Sequence, residues 1–270
     1  MAAGAVALVV GVVGAPSEGE EPPVRVERPT RTPVSTAEPK PTSEPASSPT
    51  FEPASSPAPS PASSPKPSLV PTATPLPTPL PGVIVRGLSY PIAGVCLPAE
   101  DDLMPNAPRE YRFGVHEGVD FYPGRACATI DRGMPVLAAK TGIVVRADVG
   151  YKDVTQEEMD ELLGRSAQQG FTDAQALDSL RGRQVWLDHG GGVVTRYAHL
   201  LAVEPGLAEG MVVETGQVVG QVGNSGTPEG LIDSSFENHL HFEIRVGEGY
   251  LGQGLSVEET RRLWEVAFSP

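Results

Sequence analysis

Cysteine, aromatic and basic residues are all scarce in this chain of 270 residues: it holds two Cys, 6% Phe, Trp and Tyr, and 20 Lys and Arg against 34 Asp and Glu. With only Cys96 and Cys127, and no C-x-x-C or Cys-plus-His spacing, a thiolate zinc cluster and a dithiol redox centre are excluded. In an exported protein the two cysteines would form one intrachain disulfide, Cys96–Cys127. The formal charge of −14 and the lack of basic stripes disfavour nucleic acid and anionic lipid as partners, and are compatible with a neutral or cationic substrate. No apolar run reaches the roughly 20 residues needed to cross a bilayer. Residues 1–15 are apolar and end in small residues before Pro16, as a signal-peptide core does, though without the usual basic leader. The expectation is a signal-peptide remnant or membrane anchor, and hence a secreted or membrane-tethered protein of the cell envelope.

Proline divides the chain. Twenty of the 29 prolines precede Val83, in a segment that repeats A-S-S-P at Ala46, Ala54 and Ala62. Such a Pro/Ser/Thr-rich stretch buries too little apolar surface to offset the entropy of ordering, so residues 16–82 read as a disordered, extended linker. Residues 83–270 are then the folded domain, long enough for a real core.

Within that domain, short runs rich in Val, Ile, Thr and aromatics alternate with Gly-containing turns. They are 135–139, 142–147, 184–188, 192–198, 217–222 and 239–246, and they predict an all-β core. A helical insertion at about 150–183 interrupts it. There Thr155 with Glu158 forms a capping box for a helix to about Gln168, and Thr172 or Asp173 caps a second, short helix. Ser256 with Glu259 starts a short C-terminal helix.

Four of the five histidines fall in three motifs: H-E-G-V-D at 116–120, Y-A-H at 197–199 and H-L-H at 239–241. In H-L-H-F-E-I-R the strand period of two puts His239, His241 and Glu243 on one face, with Leu240, Phe242 and Ile244 on the other. A catalytic zinc takes three protein ligands, His nitrogens or carboxylate oxygens, and keeps a fourth position open. His116, Asp120 and one of His239 and His241 supply such a set. Histidines left over beside it can act as general acid, general base or hydrogen-bond donor.

These motifs, in this order, resemble the H-x-G-x-D, Y-x-H and H-x-H of the lysostaphin-type (LytM-like) peptidoglycan metalloendopeptidases. The blocks Gly133–Val145, Asp188–Leu200 and Val213–Gly226 are similar to that family too. The resemblance implies one Zn2+ held by His116, Asp120 and His241, with His199 and His239 as unligated catalytic histidines, His199 helping to activate water and His239 stabilising an oxyanion or positioning the water. His189 is read as structural. The expected fold is an antiparallel sheet forming an open-groove or barrel-like core, and the implied activity is hydrolysis of peptide bonds in peptidoglycan stem peptides or crossbridges. The alternative is a non-catalytic module of the same fold that binds the wall or activates another hydrolase; such relatives typically lose metal residues, whereas all are retained here. Two stretches depart from the family pattern, the insertion and the long segment 227–238, and both bear on substrate specificity.

Overall fold

A computed structural model describes residues 84–270; the expected signal segment 1–15 and the linker 16–82 lie outside the described residues. In chain order the strands are β1 (Pro108–Arg109), β2 (Gly114–Val115), β3 (Val119–Phe121), β4 (Pro135–Leu137), β5 (Gly142–Ala147), β6 (Val185–Asp188), β7 (Val193–Ala198), β8 (Ala202–Val203), β9 (Val212–Val213), β10 (Val218–Gln221), β11 (Leu240–Val246) and β12 (Gly249–Tyr250). The helices are α1 (Gln156–Gln169), α2 (Ala174–Leu180), α3 (Pro228–Ile232) and α4 (Val257–Ala267). The main sheet runs β12-β11-β7-β6-β5-β9, with β3 also pairing β11; β4-β10-β8 form a second sheet and β1-β2 a small hairpin. Every pairing is antiparallel, as expected for an all-β core built from short runs and tight turns.

The alternation in β11 fixes which face is which. Leu240, Phe242 and Ile244 are wholly buried among Tyr197, Leu187 and Val144. The C-terminal helix α4 closes over this face, its Trp264 meeting Phe242 edge-on at 6.0 Å between ring centroids. Each such aromatic contributes about 1.5–3 kcal/mol by leaving water. Ser256 and Glu259 make the expected capping box at the start of α4, as Thr155 and Glu158 do for α1, and Asp173 caps α2 through the Ala176 amide. The Cys96–Cys127 disulfide forms, tying the first loop to the stretch after β3.

With its apolar side chains committed to the core, β11 turns His241 and Glu243 to the opposite face, and β3 lies alongside in a register that sets Asp120 directly opposite His241. Gly118 makes this approach possible. A Cβ on it would stand 2.4 Å from the Phe242 carbonyl oxygen and 3.0 Å from the His241 ring. We therefore expect Gly118→Ala to push β3 off β11 and destabilise the domain by about 1–3 kcal/mol, the usual cost of overpacking. Chemical denaturation would measure it, and a variant as stable as wild type would contradict the register described.

Candidate metal centre

His116 follows β2 directly, Asp120 sits in β3 and His241 in β11, so three separate strands bring their side chains to one point. His116 Nε2 lies 2.9 Å from His241 Nδ1 and 2.9 Å from Asp120 Oδ1, and the His241 Nδ1 to Asp120 Oδ1 distance is 2.8 Å. All three residues are buried. They are a group whose ligand atoms could hold a metal ion.

The outward nitrogens explain why these atoms face one another. His116 Nδ1 sits 3.1 Å from the Met104 carbonyl oxygen, and His241 Nε2 sits 3.0 Å from Glu243 Oε1. Neither oxygen can donate, so each imidazole carries its proton on the outward nitrogen and presents a lone pair inward. Two lone pairs and a carboxylate oxygen within 2.9 Å of one another repel unless a cation lies among them. The donor set therefore fits zinc: hard-to-borderline N and O ligands, three in number, with their second nitrogens anchored.

Burial and mutual contacts work against each other in the ionisation of the three residues. Burial pushes His116 down to about 4, more than the neighbouring Asp120 raises it. Burial also works against charge on His241, but hydrogen bonds to Asp120 and Glu243 outweigh it and raise this histidine. Burial alone would raise Asp120; its close contacts with His116, the larger effect, and with His241 hold it well below the usual carboxylate range.

His199 and His239 stand beside this group. Their rings lie 4.8 Å apart by centroid, and His199 is 5.7 Å from His241. His199 Nδ1 is 2.8 Å from the Ser225 carbonyl oxygen and His239 Nδ1 is 2.8 Å from that of Glu237, so both keep Nε2 unprotonated and free for chemistry. His239 Nε2 comes within 3.8 Å of Asp120 Oδ1, its ring stacked on Tyr122 at 4.1 Å. Burial lowers the pKa of both histidines, and for His199 the neighbouring His239 and His241 lower it further. His199 also holds a left-handed backbone, φ 58°, a conformation uncommon for non-glycine residues and concentrated at functional sites.

His189 is elsewhere. Its Nδ1 reaches the Thr141 carbonyl and its Nε2 the Thr195 hydroxyl, which in turn meets the Tyr197 hydroxyl, itself accepting from the Ala139 amide. This chain fixes β7 from inside the sheet, giving His189 and the tyrosine of Y-A-H a structural role. Sequence reasoning did not find Arg109, whose Nη2 donates to Asp120 Oδ2 at 3.0 Å, nor Glu117, Arg181 and Tyr122 around the same site. Glu117 is the second residue of H-E-G-V-D; Arg181 has no local signal, since its partners Glu117 and Glu243 are 64 and 62 residues away.

The group opens into a cavity of about 920 Å³. Leu163, Leu177 and Leu180 from the insertion line one part of it, and Thr227, Glu229 and Glu237 from the long segment before His239 line another. Both departures from the family pattern are therefore walls of the groove.

Residues 165–253 match peptidase family M23. Over these residues the chain is similar to that peptidase family. The match includes His199, His239 and His241; His116 and Asp120 lie before it and join the site through the pairing of β3 with β11. The chain is similar to the solved structure of a zinc-containing peptidase from Vibrio cholerae, at 19% identity over 62% of this chain and 39% of that one, with a TM-score of 0.38. The catalytic domain of lysostaphin from Staphylococcus simulans is similar at 21% identity, 60% of this chain, 78% of that one and a TM-score of 0.31. So is a putative glycyl-glycine endopeptidase lytM from Ruminococcus gnavus, at 18%, 69%, 64% and 0.38. The chain spans well under two thirds of the length of the Vibrio protein. Among curated proteins none matches it.

Proposed function

We propose that this chain is a zinc-dependent endopeptidase that hydrolyses peptide bonds in the stem peptides or crossbridges of peptidoglycan. The observation that carries the reading is the convergence of two imidazole nitrogens and a carboxylate oxygen within 2.9 Å, with two further histidines presenting free Nε2 atoms to the same cavity. His116, Asp120 and His241 would hold the ion. When bound, zinc supplies Lewis-acid polarisation of a carbonyl and makes water nucleophilic near neutral pH.

The remaining chemistry belongs to His199 and His239. With Nδ1 tied to the Ser225 carbonyl, His199 Nε2 accepts the proton of the attacking water and later returns it to the leaving amine. His239, tied in the same way to Glu237, orients that water through Nε2; it stabilises an oxyanion only once Nε2 has gained a proton. The groove between the insertion and the segment 227–238 would hold the peptide. The M23 family supports peptidase activity, and the full set of histidines argues against a binding-only module.

We place the enzyme outside the cytoplasm, secreted or tethered by residues 1–15, because its disulfide persists only in an oxidising compartment. Among the described residues no helix is long and apolar enough to cross a membrane. Incubating the purified chain with purified peptidoglycan tests the function. New amino termini should appear with wild type, stop on treatment with EDTA and return on adding zinc. Binding to the wall without any release of amino termini would favour the non-catalytic module.

A further inference from the structure

The insertion does more than line the groove. Its last helix, α2, ends at Arg181, a buried residue whose Nε donates to Glu243 Oε1 at 2.6 Å. That oxygen is the one held by His241 Nε2. Arg181 Nη2 meanwhile donates to Glu117 Oε2 at 2.7 Å, next in sequence to His116. The backbone here is equally engaged: the Arg181 carbonyl accepts from the His199 amide at 2.9 Å, and Arg183 donates its amide to Ser225 Oγ. Ser225 is the residue whose carbonyl fixes His199 Nδ1. Gly182 between them has φ 66° and no room for a side chain, since a Cβ would stand 2.1 Å from the Ser225 carbonyl oxygen.

We propose that Arg181 is a positioning residue of the metal centre, clamping Glu243 so that His241 presents Nδ1 to His116 and Asp120. The inference rests on the metal-site reading above. Charge balance alone does not require Arg181, because Arg196 and Arg245 also reach Glu243, at 3.4 and 3.3 Å. Both of those contact Oε2. Among the arginines of the described residues only Arg181 holds Oε1, so without it the carboxylate is free to turn toward the other two and release the His241 ring. Arg181 reaches the zinc ligand through Glu243 and would touch neither the ion nor the substrate.

The test uses the full chain and zinc alone, competed against a chelating indicator. Loss of an outer partner of a metal ligand typically weakens metal affinity by about 10–100-fold, and Arg181→Met is expected in that range. Arg196→Met removes a guanidinium from the other oxygen of the same carboxylate, and should leave zinc affinity within about threefold while lowering the unfolding temperature. Should Arg181→Met fail to fold, Arg181→Lys carries the test. It keeps the charge but cannot fork between Glu243 and Glu117, and affinity should still fall by about tenfold. Unchanged affinity in the Arg181 variant, or an equal loss in Arg196→Met, would reduce Arg181 to one more buried charge and overturn the proposal. Wild type that binds no zinc would remove the metal reading itself, an outcome distinct from either.

Discussion

His199→Ala is expected to slow release of amino termini from peptidoglycan by about 10²–10⁴-fold, the usual contribution of a positioned proton carrier, while zinc content stays at the wild-type level. The separation of effects follows from geometry. His199 belongs to no ligand pair of the metal group, and its one fixed hydrogen bond, to the Ser225 carbonyl, serves to aim Nε2. Alanine at φ 58° also carries backbone strain, so His199→Asn makes a second variant whose residue tolerates the left-handed region. Both should lose activity alike. Retained activity in either variant would remove His199 from the chemistry, and loss of zinc from both would make it a ligand.

Glu243→Ala should have the largest effect on folding. Glu243 is wholly buried, and it meets Arg181, Arg196 and Arg245 as well as His241. Burial would raise its carboxyl, yet the arginines, Arg181 foremost, and the hydrogen bond from His241 hold it well below the usual range. Removing it leaves Arg181 and Arg245 sharing Glu117 and takes from Arg196 its ion-pair partner among the described residues. Breaking a buried ion pair on one side typically costs about 3–5 kcal/mol, because the charge left behind has neither water nor partner. Urea unfolding of the metal-free protein would measure this loss, and a cost below about 1 kcal/mol would show that the cluster is hydrated rather than buried. As a carboxylate second to a metal-binding histidine, Glu243 thus links stability and site in one residue.

Much of this was legible in sequence because it is local. The strands β4, β5, β6, β7, β10 and β11 stand in the runs where β-branched and aromatic residues between turns placed them, and all three expected helices start at their capping residues, Asp173 proving to be the cap of α2. The two-residue strands β1, β2, β8, β9 and β12 are too short to show any period. The turn of helix α3 did carry a signal, Thr227 as N-cap with Pro228 at the first helical position, which sequence reasoning passed over. For the site, spacing put His239, His241 and Glu243 on one strand face, and resemblance chose His241 as ligand. The pairing of β3 with β11, which sets Asp120 opposite His241, and the reach of Arg181 across 62 residues to Glu243 are long-range contacts that no local pattern announces.

Zinc content tests the central claim most directly. The purified full chain should contain one zinc per molecule by elemental analysis, and EDTA should lower its unfolding temperature, since a ligand bound to the native state alone stabilises it by mass action. In His116→Ala the metal should be lost and the EDTA effect with it. Wild type without stoichiometric zinc, together with a His116→Ala variant whose response to EDTA matches wild type, would contradict the account at its root.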